Sequence, residues 1–197
     1  MSIRDQLDLS GRVALVTGAS RGLGLQIATG LGEMGARLAI CARKANELEG
    51  AAAHLKAAGI EAVPVVCDLS NPESVLACAK SVLGHYGHID ILANNAGATW
   101  GGKAEEYSFD GWRKVISTNL DGTFLLTQAI ARDSMIPRKY GRIFFVASVA
   151  GLRAQDPRIM RTVAYNASKG GIVNLTRALA AEWGVHGITV NCICPVM

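Results

Sequence analysis

The stretch from Arg12 to Met34 limits the fold of this chain more than any other. Arg12-Val13-Ala14-Leu15-Val16-Thr17 is short, apolar and rich in β-forming residues, and Gly18-Ala19-Ser20-Arg21-Gly22-Leu23-Gly24 follows directly. Apolar residues then recur at helical spacing through Leu25, Ile27, Ala28, Leu31 and Met34. The order is strand, glycine turn, helix. Gly18 permits the tight turn, while Gly22 and Gly24 let backbone approach a pyrophosphate and let the helix pack on the strand. The free N–H groups and positive dipole end of that helix then face the phosphates. The alternative is an ordinary glycine-rich turn with no ligand; the flanking strand and helix favour the nucleotide site.

The rest of the chain repeats this alternation. Strands are expected at 13–17, 37–41, 61–67, 89–93, 141–147 and 188–194, and helices at 23–34, 45–58, 72–86, 109–133 and 162–185. Gly35, Gly59, Gly87 and Gly187 stand just past the periodic runs as stops, and Asn71-Pro72-Glu73 reads as a cap with proline in the first turn. Strands buried on both faces and separated by helices predict an α/β fold, a doubly wound parallel (Rossmann) sheet of six strands. With 197 residues and no repeat or linker, the chain reads as one domain, 1–197.

A second constellation lies at Tyr165-Asn166-Ala167-Ser168-Lys169. A phenol and an ammonium four residues apart project from one face of a helix. Tyrosine titrates at about pH 10, too high for ready proton exchange at neutrality. A neighbouring cation favours the phenolate, which makes the phenol a usable general acid or base.

Three further segments stand between these two: Asn94-Asn95-Ala96-Gly97, Ser117-Thr118-Asn119-Leu120 and Ala147-Ser148-Val149-Ala150-Gly151. Together the five motifs resemble, in kind and order, the short-chain dehydrogenase/reductase family, over about Gly11 to Pro195. The glycine spacing is that family's T-G-x-x-x-G-x-G. The resemblance implies a catalytic set of Asn119, Ser148, Tyr165 and Lys169. It also implies cofactor contacts from Gly18, Ser20, Arg21, Gly22, Leu23, Gly24, Arg43, Asp68, Leu69, Asn95, Ala96, Gly97, Tyr165, Lys169 and Pro195, and no metal.

The chemistry so implied is hydride transfer between nicotinamide and a small-molecule carbonyl or secondary alcohol, with Tyr165 as proton donor in reduction and Ser148 bonding the same oxygen. By the same resemblance Lys169 holds the nicotinamide ribose, and Asn119 kinks its helix and holds a water that relays protons to Lys169. Taken singly, Ser148 is equally a strand-end cap and Asn119 a polar helix residue.

The end of the second strand, Ala39-Ile40-Cys41-Ala42-Arg43-Lys44, bears on which nicotinamide cofactor fits. A site for NAD usually has Asp or Glu there for the ribose hydroxyls. This chain has Arg43 and Lys44 instead, with Arg21 in the glycine turn, and guanidinium suits a 2′-phosphate. NADP(H) is therefore the expected cofactor, with two solvated arginines as the alternative. Asp68 is expected at the adenine amino group, or else in an Asx turn through Ser70 and Asn71. Asn94 and Asn95 brace the backbone or bind cofactor, with Gly97 opening room beside the ribose.

Composition excludes several other roles. The net charge is only +4 with no basic run, so nucleic acid is not an expected partner. No stretch approaches the roughly 18 apolar residues of a membrane span, and Met1-Ser2-Ile3-Arg4-Asp5 lacks a signal-peptide core. The five cysteines form neither C-x-x-C pairs nor a cluster with His and read as buried packing residues, with Cys192 and Cys194 on one strand face. An odd number of thiols fits a cytoplasmic protein.

Two departures from the family pattern carry expectations of their own. The segment 152–161 is long, would lie over the active site, and its arginines suggest an anionic or polyhydroxylated substrate, of sugar-acid or 3-oxoacyl type. At Cys194-Pro195-Val196-Met197, Val196 replaces a glycine, and the family continues into a substrate-covering helix and a seventh strand. The expectation is a sheet lacking both. This opens an alternative, a non-catalytic nucleotide-binding or oligomer-forming protein. Family relatives pair through the helices carrying Asn119 and Tyr165, so a homodimer or homotetramer is expected.

Overall fold

The computed structural model describes residues 6–154 and 156–196. The readings made on Met1 to Asp5, on Gln155 of the long segment and on Met197 lie outside the described residues. Among the described residues there are six strands: β1 (Val13–Thr17), β2 (Arg37–Ala42), β3 (Ala62–Val66), β4 (Ile91–Asn94), β5 (Gly141–Val146) and β6 (Ile188–Ile193). They form one sheet in the order β3-β2-β1-β4-β5-β6, and every neighbouring pair is parallel. The order reverses between β1 and β4. In an open sheet of this kind the crevice beyond the strands' carboxyl ends at that reversal is where ligands bind.

Helices α1 (Gly22–Glu33) and α2 (Ala45–Ala57) cover one face and bury Ala28, Leu48, Ala51 and Leu55 against β1 and β2. On the other face α3 (Pro72–Tyr86), α5 (Gly122–Ile130) and α7 (Val163–Trp183) bury Val75, Val82, Leu126, Ile130, Ile172 and Leu179. Each such side chain removed from water stabilises the fold by about 1.5–3 kcal/mol before entropy is counted. Local signals agree with this packing. The Asn71 side chain accepts the Glu73 and Ser74 N–H groups at 2.9 and 3.1 Å ahead of Pro72, and Gly87 ends α3 with φ +76°. No helix among the described residues is long and apolar enough to cross a membrane.

Two expectations need correction. Burial on both faces holds for β1 and β4 but not for β3, which is half-exposed along its length. It lies at the sheet margin, where Pro64, with no N–H to donate, is tolerated. The single helix expected at 109–133 is interrupted: α4 (Phe109–Ile116), a π-helical turn (Ser117–Asp121), α5, a second π turn (Ala131–Met135) and α6 (Ile136–Arg138). A π turn adds one residue to a turn, so the buried positions Asn119, Thr123, Thr127, Ala131 and Met135 recur every four residues, a spacing that an unbroken helix also tolerates over short stretches, and periodicity does not reveal it. Gly122, just after the first π turn, lies so close to the chain after β3 that a Cβ would sit 1.8 Å from the Leu69 carbonyl oxygen.

Asp90, just before β4, ties the amino end of the sheet together. Its buried carboxylate accepts the Val13 N–H at 3.0 Å and Arg138 Nη2 at 2.9 Å, with His88 at 3.2 Å. Burial pushes this carboxyl up, but the Val13 N–H and the Arg138 guanidinium outweigh it and hold the group below its ordinary range. Asp90→Ala should lower the unfolding free energy at pH 7 by about 2–3 kcal/mol in urea titrations. A carboxyl depressed in the fold contributes fully above its unfolded pKa of about 4 and loses that contribution as pH falls through its folded value, so the gap should close in acid. A constant gap across pH would contradict this account.

Candidate active site

The glycine turn forms because β1 is buried along its whole length and must reverse sharply into α1. Gly18 takes φ +65°, and its N–H donates to the Cys41 carbonyl at 2.8 Å, locking the turn to the end of β2. A Cβ on Gly24 would lie 2.2 Å from the Gly18 carbonyl oxygen, and one on Gly18 2.8 Å from Ala96 Cα. No side chain caps α1, whose first turn is preceded by Arg21 in extended backbone. Beside this turn is a cavity of about 410 Å³, lined by Gly18, Ser20, Arg21 and Gly22, by Arg43 and Lys44 beyond β2, and by Leu69, Asn95, Ala96 and Gly97. Leu23 and Gly24 do not line it; Gly24 acts through packing.

Around this cavity the charges are uneven. Lys44 Nζ bonds Glu47 at 2.7 Å, and that hydrogen bond holds the Glu47 carboxyl below its ordinary range. Among the described residues, Arg21 and Arg43 have no ion-pair partner. Cationic capacity is thus available around the glycine turn and just beyond β2.

The crevice floor is braced by polar side chains. Thr17 Oγ1 accepts the N–H groups of Asn95 and Ala96, both at 3.0 Å, and Asn95 Nδ2 donates to the Thr17 and Gly18 carbonyls. The Asn94 amide donates to Thr127 Oγ1 at 3.0 Å. Asn95 thus braces the backbone of the glycine turn and also lines the cavity, while Asn94 bonds a side chain of the helix beneath. Asp68 shows its Asx turn, with Oδ1 accepting from the Ser70 N–H and Oγ, while Cys67 and Leu69 on either side of it line the cavity. Pro195 accepts the Val149 N–H through its carbonyl.

A second cavity, about 340 Å³, shares Asn95 and Gly97 with the first and continues the crevice over β4 and β5. Ser148, Tyr165 and Lys169 line it together. Ser148 follows β5, and its Oγ accepts the Ala150 N–H at 3.2 Å. Tyr165 and Lys169 share one face of α7, with Lys169 Nζ 5.5 Å from the centre of the Tyr165 ring. The buried Lys169 Nζ donates to the Val146 carbonyl at 2.6 Å. Burial pushes its pKa down to about 8, against the electrostatic pull of Cys192 and Cys194.

Asn119 sits in the π turn and bridges to α7 rather than facing solvent. Its Oδ1 accepts the Ala98 N–H at 2.7 Å, and Nδ2 donates to the Ala98 carbonyl at 2.9 Å and to Ser168 Oγ at 3.0 Å. Gly97 lies between Asn119 and Lys169: a Cβ there would meet Asn119 Oδ1 at 3.5 Å and Lys169 Nζ at 3.6 Å. From the long segment it is Met160 that lines the cavity; Arg158 pairs with Asp156 in solvent and Arg161 bonds the Pro157 carbonyl.

Several contributors carry no sequence signal. Thr17 and Ser168 act through long-range hydrogen bonds, and Thr118 and Met160 through cavity walls. Cys41, Cys67 and Cys78 are buried in the core, as packing residues, and their sulfurs all lie within 4.8 Å of one another although the residues are far apart in sequence.

A family model described as short chain dehydrogenase matches residues 12–197. Gluconate 5-dehydrogenase of Gluconobacter oxydans (strain 621H) is 40% identical over 195 residues, which cover 99% of this chain and 74% of that protein. A crystal structure of a variant actinorhodin polyketide ketoreductase with NADPH superposes with a TM-score of 0.89 at 39% identity, covering 99% of this chain and 72% of that one. NAD+-bound xylitol dehydrogenase gives 0.88 at 36%, covering 94% and 70%.

Lys169 provides a test of this geometry that requires no ligand. Because its folded pKa of about 8 lies below the unfolded 10.5, the unfolded chain binds more protons between those values and stability rises with pH there. Relative to Lys169→Met, the wild type should gain about 3 kcal/mol in urea titrations from pH 8 to 10.5. Parallel profiles would mean that Lys169 is not desolvated.

Proposed function

The chain belongs to the short chain dehydrogenase family, and we propose that it is an NADP(H)-dependent oxidoreductase acting on a carbonyl or secondary alcohol of sugar-acid or 3-oxoacyl type. One observation carries the reading: Ser148, Tyr165 and Lys169 line a cavity that shares walls with the one beside the glycine turn. The residues present fit a dinucleotide. Glycine is required where a Cβ on Gly18 or Gly24 would collide with backbone, α1 begins uncapped, and Arg21 and Arg43 border the same space. Gly18, Ser20, Gly22 and the N–H groups opening α1 would hold the pyrophosphate, Arg21 and Arg43 the 2′-phosphate, Leu69 and Asp68 the adenine side, and Gly97 and Lys169 the nicotinamide ribose.

When bound, the cofactor supplies the hydride. This chain's residues manage the oxygen on which charge develops. The Tyr165 phenol donates its proton to that oxygen in reduction and recovers it in oxidation, and Ser148 Oγ donates a hydrogen bond to the same atom. The Lys169 ammonium, near the phenol face, favours the phenolate left behind. Asn119 holds the Ala98 backbone and the Ser168 hydroxyl in register, which positions α7 against the crevice.

NADP(H) over NAD(H) rests on Arg43 and Arg21 and on the lack of an acid at the end of β2. A homodimer or homotetramer belongs to the same reading and is supported by Phe109 and Phe124, exposed on α4 and α5; a cytoplasmic location is supported by the free thiols. The rival reading, a nucleotide-binding protein without turnover, draws on the cap bond that already engages Ser148 Oγ.

Followed by NADPH absorbance against a carbonyl panel, Tyr165→Phe should lower kcat at least ~100-fold and leave the KM for NADPH within about twofold. Undiminished turnover would remove Tyr165 from the chemistry, and saturable NADPH binding with no turnover in the wild type would favour the rival. Arg43→Asp should raise the KM for NADPH about tenfold or more and improve that for NADH. Glu47→Gln frees Lys44 and should lower the KM for NADPH. Unchanged constants in both variants would assign cofactor choice elsewhere.

A further inference from the structure

Three cysteines converge beneath the cofactor cavity, on the face of the sheet that α3 covers. Cys41 ends the inward side of β2, Cys67 directly follows β3, and Cys78 lies on the buried stripe of α3 with Val75, Ala79 and Val82. Each is at most 2% exposed, and their sulfurs lie within 4.8 Å of one another. Among the described residues no His, Asp or Glu joins them. Cys41 and Cys67 also line the cavity beside the glycine turn, which gives an approach from solvent.

From this arrangement we infer that Cys41, Cys67 and Cys78 form a three-sulfur binding site for a soft monovalent metal cation, of which Cu(I) is the type, whose occupancy loosens the glycine turn above it. Three sulfurs around one cation at about 2.3 Å lie about 4.0 Å apart, so the trio needs to contract by less than about 1 Å. Zinc takes four donors, and three soft sulfurs with no fourth ligand favour Cu(I) instead. Uptake replaces S–H bonds with S–Cu bonds; the displaced protons leave to solvent and no electrons change hands.

Coupling to the turn follows from the backbone. The Cys41 carbonyl accepts the N–H groups of Gly18 and Ala19 at 2.8 and 3.2 Å, so drawing Cys41 toward a cation shifts the anchor of the turn. This coupling rests on the dinucleotide reading above, whereas uptake stands without it.

The test uses reduced, oxygen-free protein titrated with the coloured Cu(I)–bicinchoninate complex, whose bleaching reports transfer. Cys192 and Cys194, with sulfurs 3.9 Å apart, form a separate dithiol, so the titration is run in a Cys192→Ser/Cys194→Ser background. The expected result is about one Cu(I) per chain, reduced to under about a tenth by Cys78→Ala or Cys67→Ser. A cooperative urea unfolding transition like that of the background protein shows that either variant folds. No transfer to the background protein, or undiminished transfer to a folded variant, would overturn the site. The loaded protein should bind NADPH at least about tenfold more weakly by fluorescence titration; uptake with unchanged NADPH affinity would overturn the coupling.

Discussion

The hydroxyl of Thr17 holds the crevice in shape. By accepting the N–H groups of Asn95 and Ala96 it joins the carboxyl end of β1 to that of β4, the two strands between which the sheet reverses order. Asn95 returns the tie by donating to the carbonyls of Thr17 and Gly18. These bonds are buried or half-buried and leave no slack: a Cβ on Gly24 would meet both partners of the last bond. Their effect is to hold the glycine turn and the Asn95–Gly97 segment apart at a fixed width, so that two cavities share one wall.

From that wall the polar network continues toward Tyr165. Ala98 is held by both ends of the Asn119 amide, Asn119 bonds Ser168, and Ser168 bonds the Tyr165 carbonyl. The π turn at Ser117–Asp121 carries Asn119 into this position. Lys169 is desolvated against the Val146 carbonyl at the end of β5, next to Ser148. A phenol, a hydroxyl and an ammonium thus meet at the strand tips, where a chain of hydrogen bonds positions the helix that carries two of them.

The strand-turn-helix units were legible because each carries its own periodicity and punctuation; Gly35, Gly59, Gly87 and Gly187 all take the positive φ that a helix stop demands. The tyrosine–lysine pair was legible because four-residue spacing fixes a shared helix face. What escaped is non-local. The π turns stretch the buried repeat to four residues, which still reads as helical spacing. Asn119 as a bridge depends on Ser168, 49 residues away. The thiol trio depends on β2, β3 and α3 stacking in one register. In the long segment after Ser148, Met160 lines the cavity through packing alone, while Arg158 pairs with Asp156 in solvent.

The central claim is that one dinucleotide lies across both cavities with its reactive end beside Tyr165. A crystal structure of the chain grown with NADPH tests this most directly. The account requires the 2′-phosphate against Arg21 and Arg43, the pyrophosphate at the start of α1, and the nicotinamide in the cavity of Ser148, Tyr165 and Lys169. A dinucleotide seated elsewhere, or one whose nicotinamide lies outside that second cavity, would contradict it.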